Sequence, residues 1–277
     1  MRLFVASVLL LATAPALANH PCAFTAERSL DISPAGLAAL RFELASSDLK
    51  VQGVPGLAKI EVRGHACASQ QDWLGELNMT QDRVGNKVVV KPTPRENHVN
   101  WTGNNYAFID FSVRVPTSLP LEVDSHSGDA DITDVASLDF SSHSGDLKLD
   151  KVTGAATIKV NSGDVVASDI GSLAVTGAGS GDVTANNVHG DIKVGNVGSG
   201  DLHFADVHGG VQVDSVGSGD LSVEHIGSDV VVGSIGSGDI DAHGIAGNLT
   251  VRAAGSGDIH HHDVSGQIQV PKRHEQD

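Results

Sequence analysis

The tripeptide Ser-Gly-Asp recurs eight times, placing aspartates at Asp129, Asp146, Asp164, Asp182, Asp201, Asp220, Asp239 and Asp258. Successive spacings are 17, 18, 18, 19, 19, 19 and 19. A period that settles on one value is the mark of a solenoid, because each coil must close on the same perimeter to stack on its neighbour. Apolar residues follow each aspartate at offsets 1, 3, 6, 10, 12 and 15, as in Leu202, Phe204, Val207, Val211, Val213 and Val216, or Leu221, Val223, Ile226, Val230, Val232 and Ile235. Alternation within short runs specifies strands, not helices. The slips between runs mark corners, where glycines recur: Gly190, Gly209, Gly247 and Gly266 at one, Gly198, Gly217, Gly236 and Gly255 at another. Glycine supplies the positive φ that a tight corner often needs.

Connections this short leave no room for crossover helices, so coil must pair with coil. The expected fold is an all-β parallel β-helix (β-solenoid) of about eight 19-residue coils, roughly 38 Å long at ~4.8 Å per strand. Few side chains in it are aromatic, 4% of the whole chain, so the core is one of small and β-branched residues.

Upstream, Ser46 to Val54, containing Asp48, fits the same template, with Ile60 to Val62 following. An early coil therefore precedes a long insertion. Val84 to Val90 reads as a hairpin, and Ala107, Ile109, Phe111, Val113 and Val115 alternate on one face. Trp73, Trp101, Tyr106 and Phe108 gather there, whereas Phe140 and Phe204 lie in the repeats. This irregular β region is expected to cap the first solenoid edge; an aromatic surface for a glycan is the alternative. The division is residues 1–18 signal peptide, 19–123 cap with one early coil, 124–270 repeats and 271–277 tail.

The signal peptide is read from Arg2, the apolar run Leu3 to Leu11 and the small-residue site Ala16-Leu17-Ala18. The run is shorter than the roughly 20 apolar residues of a membrane anchor. His20 and Pro21 before Cys22 do not suit lipidation. An exported, soluble chain is expected, in the periplasm or extracellular, with no transmembrane segment once mature. In that oxidising compartment Cys22 and Cys67, the two cysteines, pair most simply as a disulfide, with two free thiols as the alternative.

Acidic residues number 34 against 18 basic, a net charge of −16. Nucleic acid and anionic membranes are thereby disfavoured as partners, since phosphate binding needs clustered Lys and Arg. In-phase carboxylates about 5 Å apart repel by roughly 1 kcal/mol even in water. Two compensations are open. Corner N–H groups can bond each carboxylate, as in Asx turns; or calcium can fill the ladder, which makes Asp129, Asp146, Asp164, Asp182, Asp201, Asp220, Asp239 and Asp258 weak metal candidates. Gly-Ser-Gly-Asp falls short of the Gly-Gly-x-Gly-x-Asp calcium pattern, which favours the turn. His189 and His208 share one offset, and His243 and His262 another, with His260 and His261 beside them. Such pairs can share zinc or copper with Asp241 or Asp263, although outward histidines need no partner. His261 occupies an inward offset, which says the core is ending and that Gln267 to Val270 form a frayed last rung.

The signal peptide, the irregular β start, the segment Val113 to Val123 and the stacked Ser-Gly-Asp coils together resemble the bacterial putative-adhesin β-strand-repeat family, related to the head GIN domain of putative autotransporter adhesins, over roughly residues 40–270. The resemblance implies a right-handed β-helix in the cell envelope and supplies no catalytic residues. No nucleophile with its base is apparent, and near-constant coils raise no loops around a cleft. The expectation is a non-catalytic, adhesin-like protein without a cofactor, presenting a repetitive acidic surface to an envelope protein or glycan. Its solenoid ends offer a route to self-association. A calcium-binding β-roll-like protein and a carbohydrate-active β-helix enzyme are the alternatives.

Overall fold

The computed structural model describes residues 22–93 and 105–271. The expected signal peptide, Trp101 and the tail beyond Pro271 lie outside them. The first strands are β1 (Phe24–Ile32), β2 (Ala39–Ser46), β3 (Leu49–Val54), β4 (Ile60–Ala68), β5 (Met79–Val84), β6 (Lys87–Pro92), β7 (Ala107–Pro116) and β8 (Leu121–Ser127). A single 3-10 turn (Gln71–Gly75) lies between β4 and β5. The repeats follow as β9 (Ala130–Val135), β10 (Leu138–Ser144), β11 (Leu147–Ser162), β12 (Val165–Ala178), β13 (Val183–Val188), β14 (Ile192–Val197), β15 (Leu202–Val207), β16 (Val211–Val216), β17 (Leu221–Ile226), β18 (Val230–Ile235), β19 (Ile240–Ile245), β20 (Leu249–Ala254), β21 (Ile259–Val264) and β22 (Ile268–Gln269).

Each coil contributes one strand to each of two parallel stacks. The stack that follows the Ser-Gly-Asp corner runs β7, β3, β9, the first half of β11, the first half of β12, then β13, β15, β17, β19 and β21. The other runs β6, β2, β8, β10, the second halves of β11 and β12, then β14, β16, β18, β20 and β22. The six apolar offsets point inward: Phe204 is fully buried, and Leu202, Val207, Val211, Val213 and Val216 are at most 3% exposed. The fold is therefore the β-solenoid of about eight coils that the period specifies.

Antiparallel strands close the first edge. β4 pairs with β7 and β1 with β4 on one stack, and β5 pairs with β6 on the other. Gly85 and Asn86 turn the β5–β6 hairpin, Gly85 at φ 63°. β3, which follows Asp48, sits between β7 and β9 in the stack. Although β3 and β4 follow each other in sequence, β7 is inserted between them, so this edge closes only when residues some 50 positions later return. The disulfide Cys22–Cys67 joins the start of β1 to β4, and Arg28 donates to the carbonyls of Leu74 and Leu77, holding the 3-10 turn against β1. Trp73 packs against the core, while Tyr106 lies 6.2 Å from Phe108 and its hydroxyl accepts the Ala23 N–H. At the far end β22 is two residues long and His261 is exposed, as its polar character at an inward offset implies.

The corner glycines differ from expectation in their reason. Gly190, Gly198, Gly209, Gly217, Gly236, Gly247, Gly255 and Gly266 are not in the positive-φ region. They are small because coils touch: a Cβ on Gly217 would lie 2.3 Å from the Gly198 carbonyl oxygen. Positive φ occurs instead five residues after each aspartate, at Asp134, Lys151, Asp169, Asn187, Asp206, His225, Gly244 and Asp263, and in the first three Ser-Gly-Asp tripeptides at Gly128, Gly145 and Gly163. The residue there drops out of the inter-coil register, as Lys151 does between the pairs Asp150↔Ser168 and Val152↔Ile170. Asx side chains tolerate this left-handed geometry through local hydrogen bonding.

Candidate functional site

The Ser-Gly-Asp aspartates form one continuous hydrogen-bonded column. Oδ1 of each accepts the backbone N–H of the aspartate one coil later: Asp129 from Asp146 at 3.0 Å, Asp146 from Asp164 at 2.9 Å, Asp164 from Asp182 at 3.0 Å and Asp182 from Asp201 at 2.8 Å. Asp201, Asp220 and Asp239 continue it to Asp258. The compensation for stacked charge is thus backbone N–H donation, but across coils, where an Asx turn would bond within one. A Cβ at the preceding glycine has no room, as at Gly219, where it would stand 1.9 Å from the Gly200 carbonyl oxygen. Glycine lets the coils close to hydrogen-bonding distance, and aspartate then bridges them.

The column runs two coils further than the tripeptide does. Asp48 accepts from Asp129 N–H, and Asp110 accepts from Asp48 N–H at 3.1 Å. Asp110 belongs because Leu49 pairs with Phe111, which sets the two preceding aspartates in line. Its carboxyl is raised above the ordinary range, first by burial and also by the Asp48 charge, against the lowering effects of the Asp48 N–H and of His65. Here a groove of about 530 Å³ opens where cap meets solenoid, and it brings Asp48, Asp110 and Asp129 close to Lys50, Arg63 and Lys148. Cap cations are largely committed to acids: Arg63 to Asp31 at 3.0 Å, Arg114 to Glu61 at 3.0 Å, and Arg41 to Glu43 and Asp124.

A second column stands on the opposite corner. Asp191 Oδ1 accepts Gly210 N–H, Asp229 Oδ1 accepts Asn248 N–H, and Asn248 Oδ1 accepts Gln267 N–H, at 2.7–2.9 Å. Sequence reasoning missed it, though the 19-residue column Asp191, Gly210, Asp229, Asn248, Gln267 was there to be read.

Histidines line the outer surface in stacked groups. His126 and His143, which the sequence reading passed over, are parallel with centroids 5.2 Å apart. His189 lies 5.4 Å from His208 and bonds through Nε2 to Asp169 Oδ1 at 2.8 Å. His243 and His262 pair directly across β19 and β21, and Asp263 joins them. Asp241 instead pairs with His260 in another column, so neither joins that group.

No helix among the described residues is long and apolar enough to cross a membrane. No curated protein matches the chain. Solved structures of similar outline include one described as a putative lipid binding protein from Parabacteroides distasonis (16% identity, 89% of this chain and 97% of that one, TM-score 0.47). Two described as putative adhesins also match: one from Bacteroides fragilis (13%, 90% and 98%, TM-score 0.41) and one from Parabacteroides distasonis (13%, 88% and 97%, TM-score 0.42). The sequence profile of the Toastrack DUF4097 family matches residues 58–215, more than half of the chain. By that match, and in keeping with the adhesin-like repeat that its Ser-Gly-Asp coils resemble, the chain belongs to the Toastrack DUF4097 family.

Proposed function

We propose that this is an exported, non-catalytic, adhesin-like scaffold whose solenoid, residues 124–270 behind a cap of residues 19–123, presents a repetitive acidic surface to an envelope or extracellular partner, a protein or a glycan. The observation that carries the reading is the continuous carboxylate column from Asp110 to Asp258, which puts the same donor-accepting group on one edge at every coil. Such a lattice suits a repeating ligand, since each further period engaged adds to avidity. The Cys22–Cys67 disulfide supports an oxidising compartment. Charge supports the polarity of the surface, because the repeats carry only Lys148, Lys151, Lys159, Lys193 and Arg252 as basic residues.

Cross-linking of the intact protein in native envelopes, followed by identification of the captured species, tests the proposal. A reproducible envelope protein or glycan, competed by soluble wild type but not by a variant with Asp182, Asp201 and Asp220 changed to Asn, is expected. Turnover of an acidic polysaccharide, abolished by changing one carboxylate such as Asp110, would overturn it in favour of a carbohydrate-active enzyme.

A further inference from the structure

We propose that His243, His262 and Asp263 form a binding site for a divalent transition metal ion of the zinc class on the last two coils. Parallel pairing of β19 with β21 sets His243 directly beside His262. Their ring centroids are 3.9 Å apart, and both Nδ1 atoms turn to each other at 3.1 Å. Asp263 Oδ2 completes the triangle, 3.1 Å from His262 Nδ1 and 3.6 Å from His243 Nδ1. Two nitrogens and an oxygen bound to one tetrahedral zinc at about 2.0–2.1 Å stand about 3.3 Å from each other. The observed edges bracket that value, so the three donor atoms already stand at the spacing that one ion requires.

The backbone contributes to the convergence. Asp263 occupies the left-handed position at φ 56°, out of register with its own strand. One coil back, that position is Gly244, the glycine of a column otherwise filled by Asp, Asn, Lys or His. A Cβ there would stand 3.2 Å from the ring of His225, whose edge meets His243 at 5.9 Å between centroids. A side chain at Gly244 would crowd the His225 ring, which packs edge-on beside His243. Ligands of two neutral imidazoles and a carboxylate select zinc, copper or nickel over calcium and magnesium, which prefer all-oxygen sets. Three protein ligands leave a coordination position toward solvent, since His262 and Asp263 are largely exposed. Among the described residues β21 pairs only with β19, so the ion also clips the last strand of its stack to the body of the solenoid.

Calorimetric titration of the metal-stripped full chain with zinc chloride at pH 7.5 tests this, alongside His262→Ala, Asp263→Asn and, as a neighbour outside the triangle, His260→Ala. Wild type and His260→Ala are expected to show a site that weakens at least tenfold in the other two. Zinc should slow hydrogen exchange of β21 amides in wild type but not in His262→Ala, and calcium should do neither. His262 is exposed and contributes nothing to the core, so its removal leaves the coil folded, which circular dichroism checks. Zinc binding absent from wild type, or equal in wild type and His262→Ala, would overturn the proposal.

Discussion

Oδ1 of Asp201 accepts the backbone N–H of Asp220 at 2.8 Å, so a side chain of one coil is bonded to the main chain of the next. The bond uses one carboxylate oxygen, and an amide oxygen can replace it. Asp201→Asn should therefore change stability by less than about 0.5 kcal/mol, while Asp201→Ala should cost about 1 kcal/mol, the net worth of one hydrogen bond. Urea denaturation of both variants measures this; an Asn variant that loses more than about 2 kcal/mol would show that the charge itself is needed. Calcium added to the metal-stripped protein should leave the melting temperature in place, because one carboxylate per coil is far from the six to eight oxygens that calcium takes.

Gly219 tests the packing beneath that bond. Its backbone is not in the left-handed region, yet a Cβ would meet the Gly200 carbonyl oxygen at 1.9 Å and its carbon at 2.6 Å. Both obstacles are backbone atoms and cannot rotate away. Gly219→Ala should cost about 3 kcal/mol or more, since the coils must separate. Gly56, at φ 69° with nothing within 4 Å of its would-be Cβ, should lose only about 1 kcal/mol on the same change. Thermal denaturation of the two variants separates contact from conformation, and equal losses would contradict the assignment.

At Asp206, φ is 55° and the carboxylate makes only an exposed contact with His225 Nδ1 at 3.3 Å, so backbone conformation dominates. Asp206→Asn should be near neutral, whereas Asp206→Val should cost about 1–2 kcal/mol, because a β-branched side chain resists the left-handed region. Chemical denaturation at neutral pH is sufficient to rank them.

These contrasts mark where the sequence was legible. The six apolar offsets gave strand, corner and core together, because a repeated coil writes its own contact map into the spacing. The early coil at Asp48 and the hairpin turn at Gly85 and Asn86 were local patterns and could be read. The insertion of β7 between β3 and β4 was not, since pairing with a strand distant in the chain leaves no mark at a fixed interval. Asp110 stayed hidden for the same reason: it joins the aspartate column through strand alignment, with Phe108 and Ile109 before it in place of Ser and Gly. The left-handed column was missed because Asp, Asn, Lys, His and Gly all occur in it, and a position defined by backbone geometry has no single letter.

Reduction of Cys22–Cys67 should act on the cap first. The bridge closes a separation of 45 residues, for which loop entropy gives on the order of 4 kcal/mol, model-dependent. β1 pairs only with β4 among the described residues, so its amides should exchange faster after reduction, while those of β15 and β17 in the middle of the solenoid change little. Hydrogen exchange with and without reductant resolves the two regions. Uniform acceleration along the chain would mean that cap and repeats unfold as one cooperative unit.

Two aspartates should respond to pH with opposite sign. Burial raises the carboxyl of Asp110, so the folded chain holds its proton more tightly than the unfolded chain does. Stability from that proton is fully present below the unfolded value and is lost as pH rises through the folded one. At neutral pH Asp110 is a partly buried charge that opposes folding. Asp150 is lowered, first by the hydroxyl of Ser168 donating at 2.8 Å and then by Lys151. Its contribution is present above the unfolded value and lost as pH falls through the folded one. Asp110→Asn, which keeps an acceptor for the Asp48 N–H, should therefore raise the urea midpoint at pH 7 and merge with wild type near pH 3. Asp150→Asn should lower the midpoint at pH 7 and merge in acid likewise. Differences of the same sign, or differences that persist unchanged into acid, would show that shape and not charge governs both sites.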